Sequence, residues 1–157
     1  MFQGFQLDAF QQYLYGYRVS TKLNAVAIVW YLLSHDSGLL AEVPISRIRA
    51  SDLPLKTQLP AITIRQRDGF SYASVDGSSA NFWTETVEVM VMADNYPDVK
   101  TILRLVQAAL PLSRGSVNGT YCDSVLDDLV GPDIYDIQTN IYSQSQQFKV
   151  KYTTNDF

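Results

Sequence analysis

Residues 85–110, ETVEVMVMADNYPDVKTILRLVQAAL, decide the fold, because their apolar spacing changes midway from that of a strand to that of a helix. From Glu85 to Ala93 every second residue after Glu85 is valine or alanine, as on a strand with one buried face. From Pro97 to Pro111 the spacing follows the helical repeat, with a proline suited to each end. The apolar positions of this helix are Val99, Ile102, Leu103, Val106 and Leu110, and those expected to face water are Lys100, Arg104 and Gln107.

A second alternating stretch, residues 61–66, precedes the first and predicts a partner strand with Ile62 and Ile64 facing inward. Between the two strands, Asp68-Gly69 and Asp76-Gly77 are both sequences typical of turns. We therefore predict a long, protruding hairpin whose tip lies near Asp76-Gly77.

The remaining segments complete the order helix, strands, helix, strands. Residues 21–34 predict a first helix, capped by Ser20 or Thr21 and ended by Ser37-Gly38. Asn118-Gly119 offers a turn beside a short strand, a loop rich in Asp and Gly follows, and a closing strand carries its apolar side chains inward. Those inward residues are Phe148, Val150 and Tyr152. The order predicts an α+β fold, an α/β sandwich whose mostly antiparallel or mixed sheet carries two main helices on one face.

Composition bounds the class of protein. The 157 residues are 46% hydrophobic and 18% charged, which fits one globular domain over residues 21–157 with an aromatic-rich arm over residues 1–20. The formal net charge of -4 disfavours a primary role in nucleic-acid binding. The apolar run of residues 25–33 is far shorter than the ~20 residues of a membrane helix. With a single cysteine and no basic start of a secretory signal, we expect a soluble protein of a reducing compartment.

The sequence contains no recognisable catalytic, cofactor or metal motif. The single histidine, His35, lies in the polar tail of the first helix, where the helix dipole accounts for it, and no Gly-x-Ser-x-Gly elbow accompanies it. The aspartates of residues 123–136 lack the spacing of an EF-hand and predict a solvated acidic loop. Glu85 and Glu88 are expected to be exposed, with pKa values too low for general acids. We expect no enzyme activity and no cofactor or metal.

Aromatic residues are the unusual feature of the sequence, and they supply the candidate subunit or partner interface. The candidates in the arm are Phe2, Phe5, Phe10, Tyr13, Tyr15 and Tyr17, and those in the hairpin are Tyr72, Asp76, Phe82 and Trp83. The arm either folds back over its own sheet or docks onto a neighbouring chain. Four alternating arginines, Arg47, Arg49, Arg65 and Arg67, form a solvated edge, a subunit-facing edge or a nucleic-acid groove.

Four stretches of the sequence carry a resemblance to a known family. They are Leu23 to Leu33 with Pro44-Ile45-Ser46-Arg47-Ile48; Leu59-Pro60-Ala61-Ile62-Thr63-Ile64; Val87 to Ala93 through Leu110; and Asp133-Ile134-Tyr135-Asp136 with Tyr142 and Phe148-Lys149-Val150-Lys151-Tyr152. In these the chain resembles the tail-terminator, or tail-completion, family of tailed bacteriophages. The arm and the 67–82 hairpin look like additions to the family pattern.

The resemblance implies a structural virion protein, made in the host cytoplasm, that forms a homo-hexameric ring at the head-proximal end of the tail. Such a ring ends tube growth and joins the tail to the head connector. Its partners would be the tail tube protein, connector or neck proteins and, in a contractile tail, the sheath. DNA would only pass through the lumen, and no membrane is involved. The alternatives are a head-completion or neck protein, an enzyme with a site shared between subunits, and an adaptor that binds a peptide at a sheet edge.

Overall fold

The computed structural model describes residues 24–54, 56–73, 80–112 and 114–155. The helices are α1 (Ala25–Ser34), α2 (Ser37–Leu40) and α3 (Tyr96–Ala109), with a 3₁₀ turn at Ile45–Arg47. The strands are β1 (Ile48–Ala50), β2 (Ala61–Ala73), β3 (Ala80–Ala93), β4 (Gly115–Val117), β5 (Thr120–Val130), β6 (Ile134–Asp136) and β7 (Ile141–Asn155). The predicted arm, residues 1–20, lies outside the described residues.

The strands form one sheet in the order β1-β2-β3-β7-β5-β4, with β6 paired to the start of β7. Among the described strands, β1 and β2 run parallel and every other pairing is antiparallel. This confirms the prediction of an α+β fold with a mixed sheet.

One face of the sheet carries the hydrophobic core together with α1 and α3, and we call it the helix face. Val87, Val89 and Val91 of β3 lie on it and are completely buried, as their alternation predicted. The opposite face of β3 carries Thr84, Thr86 and Glu88, and we call it the open face because side chains beside these positions, such as Phe70, are exposed. The predicted inward residues of β2 and β7 also belong to the core, and they are Ile62, Ile64, Phe148, Val150 and Tyr152.

The first helix begins later than predicted. The side chain of Asn24 accepts a hydrogen bond from the Ala27 amide at 2.9 Å, so Asn24 caps α1 in place of Ser20 or Thr21. The predicted end at Ser37-Gly38 is instead the start of α2. Asp36 caps that helix by accepting from the Leu39 amide at 2.9 Å.

The amphipathic helix α3 forms as predicted, with its five apolar positions buried. Asn95 accepts from the Asp98 amide at 3.0 Å and caps the helix, and Pro97 is its second residue. Lys100 and Gln107, predicted to face water, are only partly exposed because both lean onto β7. Lys100 donates to Gln144 at 2.7 Å and Gln107 donates to Gln146, whereas Arg104 is exposed as expected.

The long hairpin of β2 and β3 is present, but Asp68-Gly69 is not a turn. Both residues lie within β2, just after an irregularity in the pairing at Arg67. Gly69 faces Glu85 of β3, and a Cβ atom at Gly69 would lie 2.6 Å from the Glu85 Cγ atom. The glycine is therefore required for a close approach between strands. The predicted tip at Asp76-Gly77 lies outside the described residues.

The predicted loop rich in Asp and Gly is also wrong, because most of it forms β5. Asn118 and Gly119 make the predicted turn with φ angles of 46° and 85°, and β5 then runs along β7 as far as Val130. The aspartates of β5 are compatible with a strand because Asp127 and Asp128 are exposed near the edge of the sheet.

Candidate assembly surfaces

The first candidate surface is an aromatic patch at the far end of the hairpin, on the open face. Tyr72 and Phe82 stack with ring centroids 5.6 Å apart, and Tyr72 is 59% exposed. Phe70, two residues earlier on β2, is 62% exposed. The register continues from Phe82 through Thr153 to Tyr121, so a fourth aromatic residue lies at the same level of the sheet. The structure thus brings Tyr72 and Phe82, two of the predicted interface residues, into contact.

Trp83 lies on the other face of the same strand. Its ring stacks on Tyr152 at a centroid distance of 6.3 Å, and its Nε1 atom donates to Thr154 at 3.0 Å. The ring packs against the core and is half-buried, so much of its surface is already occupied by its own domain.

The other predicted interface residues lie outside the described residues. They are Phe2, Phe5, Phe10, Tyr13, Tyr15, Tyr17 and Asp76. Whether the arm covers its own domain or a neighbour therefore stays a prediction.

The second candidate surface is the segment from β5 through β6, which combines acidic and apolar side chains. Residues 121–137 include five aspartates and no lysine or arginine. Exposed hydrophobic side chains lie next to these charges in the sequence, among them Leu129 at 62% and Ile137 at 79% exposure. Exposed apolar side chains in a contiguous group mark interaction sites. Sequence reasoning recognised the aspartates but missed the apolar residues, because it assigned the segment to a loop.

A small polar network ties the β6 end of this surface to α3. The Lys100 ammonium donates to Asp133 at 2.6 Å, and the Tyr96 hydroxyl donates to the other Asp133 oxygen at 3.0 Å. The hydrogen bonds from Lys100 and Tyr96 lower the pKa of Asp133, and the hydrogen bond to Asp133 raises the pKa of Lys100. The network holds the chain beside β7 as it enters β6.

The third candidate surface is the arginine-bearing edge formed by β1 and β2. Arg65 donates from Nε to Glu88 at 2.9 Å, and Arg67 lies 3.7 Å from the other Glu88 oxygen. Both arginine side chains remain about half exposed, at 54% and 46%, whereas the Glu88 side chain is only 8% exposed. Arg49 on β1 is also exposed. The arginines therefore bury a carboxylate of their own sheet and still present charge to the outside.

The two strand carboxylates are buried, which contradicts the expectation of exposed groups. Glu85 is 5% exposed and Glu88 is 7% exposed. Burial raises the pKa of Glu85, although the Tyr152 hydroxyl donates to it at 2.9 Å and the Ala25 amide also favours its charged form. Because the residues are three apart on one strand, they face opposite sides of the sheet and cannot act as a catalytic pair.

Other reactive groups in the described residues are similarly occupied. The His35 ring contacts the Tyr31 carbonyl oxygen through Nδ1 at 2.8 Å, at the end of α1. Cys122 is completely buried, and burial raises the pKa of its thiol to about 11, so it is protonated at neutral pH. No group of three potential metal ligands occurs in the described part of the chain. None of its helices is long and apolar enough to cross a bilayer.

A polar cleft of about 370 Å³ lies between α3 and the sheet. It is lined by Lys100, Thr101, Leu103, Arg104, Gln107, Val130 and Gln144. Lys100 of α3 already donates to Gln144 of β7 and to Asp133, and Gln107 of α3 donates to Gln146 of β7. The cleft therefore offers few free groups to a ligand.

Taken together, the described residues define a small α+β domain whose available chemistry lies on exposed surfaces and sheet edges. No protein-family profile matches the sequence, and the search of curated proteins finds no match. The fold is similar to that of a chain in the solved virion of a native gene transfer agent particle, with a TM-score of 0.62 and 14% sequence identity. The similarity covers 84% of this chain and the whole of that chain. At this identity the comparison establishes a shared fold.

Proposed function

We propose that this chain is a structural virion protein that forms a homo-hexameric ring at the head-proximal end of a phage-like tail. The ring ends growth of the tail tube and joins the tail to the head connector. The observation that carries the proposal is the fold, which a chain of a gene transfer agent virion shares over its entire length. The sequence resemblance to tail terminators points to the same assignment.

The surfaces support a role in assembly. The aromatic patch, the apolar and acidic β5–β6 segment and the arginine edge are distributed around one small domain, as a subunit with several neighbours requires. The proposed neighbours are further copies of the chain, the tail tube protein, the connector or neck proteins and, in a contractile tail, the sheath.

The net charge fits a passage for DNA through the ring. An excess of four acidic groups provides no general attraction for phosphates, so DNA can slide through the lumen without being retained. The proposed location is the virion, after synthesis in the host cytoplasm.

Deleting the gene from the phage or prophage that encodes the chain tests this function. We expect heads and tails that fail to join, and tail tubes longer than those of wild-type particles when measured by electron microscopy. Complementation with the intact gene is the control. Unjoined tails of normal length would favour a head-completion or neck protein instead. Intact particles of normal length would contradict a structural role and favour an adaptor that binds a peptide at the free edge of β2.

A further inference from the structure

The two edges of the sheet differ in charge. Residues 45–68, which include β1 and the start of β2, contain five basic residues and two acidic residues, Asp52 and Asp68. Residues 121–137, which include most of β5 and all of β6, contain only acidic charges. In the sheet these segments lie on opposite sides, because β3 and β7 separate β2 from β5. The domain therefore has a basic edge and an acidic edge.

Both edges have strand positions that no described strand covers. On the basic edge, β1 pairs only with Ile62 to Ile64, so β2 has no outer neighbour among the described strands from Arg65 onward. On the acidic edge, β4 pairs only with Thr120 to Cys122, and Leu112 forms a single bridge to Val125. Beyond Val125, the described strands leave the outer side of β5 uncovered. Uncovered strand edges are ready to pair with another chain.

The register places the two charged regions at the same level of the sheet. Gln66 lies opposite Val87 of β3, which lies opposite Phe148 of β7. Phe148 in turn lies opposite Asp127 of β5. Arg65 and Arg67, which flank Gln66, are therefore level with Asp127 and Asp128 on the other edge. A second copy placed beside the first without a shift along the strands brings these two charged segments to the same level.

Strand direction agrees with this arrangement. Three successive antiparallel pairings make β2 and β5 run in opposite directions, so β2 of one copy lies antiparallel to β5 of the next when both copies have the same orientation. Each edge also exposes hydrophobic side chains next to its charges: Phe70 and Tyr72 on β2, and Leu129 and Val130 on β5. In the unshifted register these side chains lie at different levels, because Phe70 is level with Ser124 and Val130 is level with Ile64.

We infer that the basic β1–β2 edge of one copy binds the acidic β5–β6 edge of the next, forming a head-to-tail contact. Like edges repel each other, which disfavours a two-fold dimer through either edge, whereas unlike edges attract and leave one edge of each kind free for the next copy. This inference rests on the proposed function for its closure into a ring, and it names the surfaces that meet.

Two charge-reversed variants test the contact. The acidic-edge variant carries Asp127→Lys and Asp128→Lys at two exposed positions. The basic-edge variant carries Arg49→Glu and Arg67→Glu, and it keeps Arg65 so that buried Glu88 retains its closest partner. The matched control, Glu42→Lys with Asp94→Lys, changes the net charge as much as the acidic-edge variant does, at exposed positions outside both charged segments.

Sedimentation velocity measures the assembly of each protein alone and of an equimolar mixture. We expect wild type and the control to form the same closed oligomer, and each edge variant alone to associate about 100-fold more weakly, because like charges then face each other. The mixture should restore the wild-type mass, since the unchanged edges match and the two reversed edges also match. Circular dichroism of each variant confirms that it is folded.

Three results would overturn the inference. Unimpaired assembly of either edge variant would show that its edge is not in the contact. A mixture that forms only dimers would indicate a two-fold contact, and a wild-type chain that stays monomeric at every concentration would show that the edges do not bind each other. None of these affects the gene-deletion experiment, so a true tail protein with a different subunit contact remains distinguishable from a protein with no role in the tail.

Discussion

The two faces of the sheet are built by the same strands but owe their burial to different groups. On the helix face, α1 and α3 cover an apolar layer that includes Phe148 and Val89, both completely buried. On the open face, Glu88 is nearly as well buried, but beneath Arg65 and Arg67, which remain half exposed. Apolar packing on the first face supplies stability, whereas the second face keeps charged and aromatic groups available for contacts.

The largest expected effect separates the faces by substituting the same residue type on each. Phe148→Ala should lower the free energy of unfolding by about 3–5 kcal/mol, because it opens a cavity in a close-packed core. Phe70→Ala, on the open face, should cost less than about 1 kcal/mol, because its ring is already mostly exposed. Urea denaturation followed by circular dichroism measures both. Equal losses would show that the open face is packed as tightly as the core.

A second substitution tests the close approach of β2 to β3. Gly69→Ala places a methyl group 2.6 Å from the Glu85 Cγ atom, so we expect a loss of about 1–3 kcal/mol from the clash between the two strands. Gly119→Ala, in a turn with open space around the position but a φ of 85°, isolates the backbone contribution of a glycine. Thermal unfolding compares the two. A melting temperature unchanged by Gly69→Ala would mean that the strands can separate at no cost.

The buried carboxylate of the helix face should make stability depend on pH. Because burial raises the pKa of Glu85 above its usual 4.5, the folded state holds the proton more tightly than the unfolded state. This contribution is complete below pH 4.5 and is lost as the pH rises through the folded pKa, with a slope of at most about 1.4 kcal/mol per pH unit.

Replacing that carboxylate by an amide checks the assignment. Glu85→Gln should remove this part of the decline. The free energy of unfolding, measured by denaturation between pH 4 and pH 8, should therefore fall less with pH than that of wild type. Glu42→Gln, at an exposed position, should keep the wild-type slope. The same slope in all three proteins would assign the decline to another group.

The smallest effect is expected at the tie between α3 and β6. Asp133→Asn weakens the hydrogen bonds from Lys100 and Tyr96, yet these groups are solvated, so the melting temperature should scarcely change. Amide hydrogen exchange should nevertheless become faster in residues 134–140, because the segment is less firmly held. Glu42→Gln, at an exposed position outside the segments of both charged edges, is the control. Unchanged exchange would show that strand pairing alone holds β6.

Sequence reasoning succeeded where one periodic pattern decided the outcome. The alternation of Val87, Val89 and Val91 and the spacing of Ile102 and Val106 each require a buried face, and the structure buries them. A pattern of this kind depends only on neighbours in the same element, so a single sequence is enough to recognise it.

The errors occurred where a distant strand decides the local structure. Asp68-Gly69 has the sequence of a turn, but the glycine is needed because the Glu85 side chain of β3 occupies the space beside Gly69. The polar residues of β5 are typical of a loop, but they form a strand because β7 pairs with them. The candidate site shows the same limit, because the shared level of Arg67 and Asp127 depends on the register of four strands, which no local pattern specifies.

Cys122 is a buried probe of the acidic edge. The chain has this one thiol, and it lies completely buried on β5, where β4 covers the outer side. A thiol reagent can reach it only when the β4–β5 corner opens, because in the closed structure the thiol is buried and, with a pKa of about 11, protonated at neutral pH. The rate of labelling therefore reports how often this corner opens. Labelling of Cys122 should be slower whenever a neighbouring molecule covers the edge.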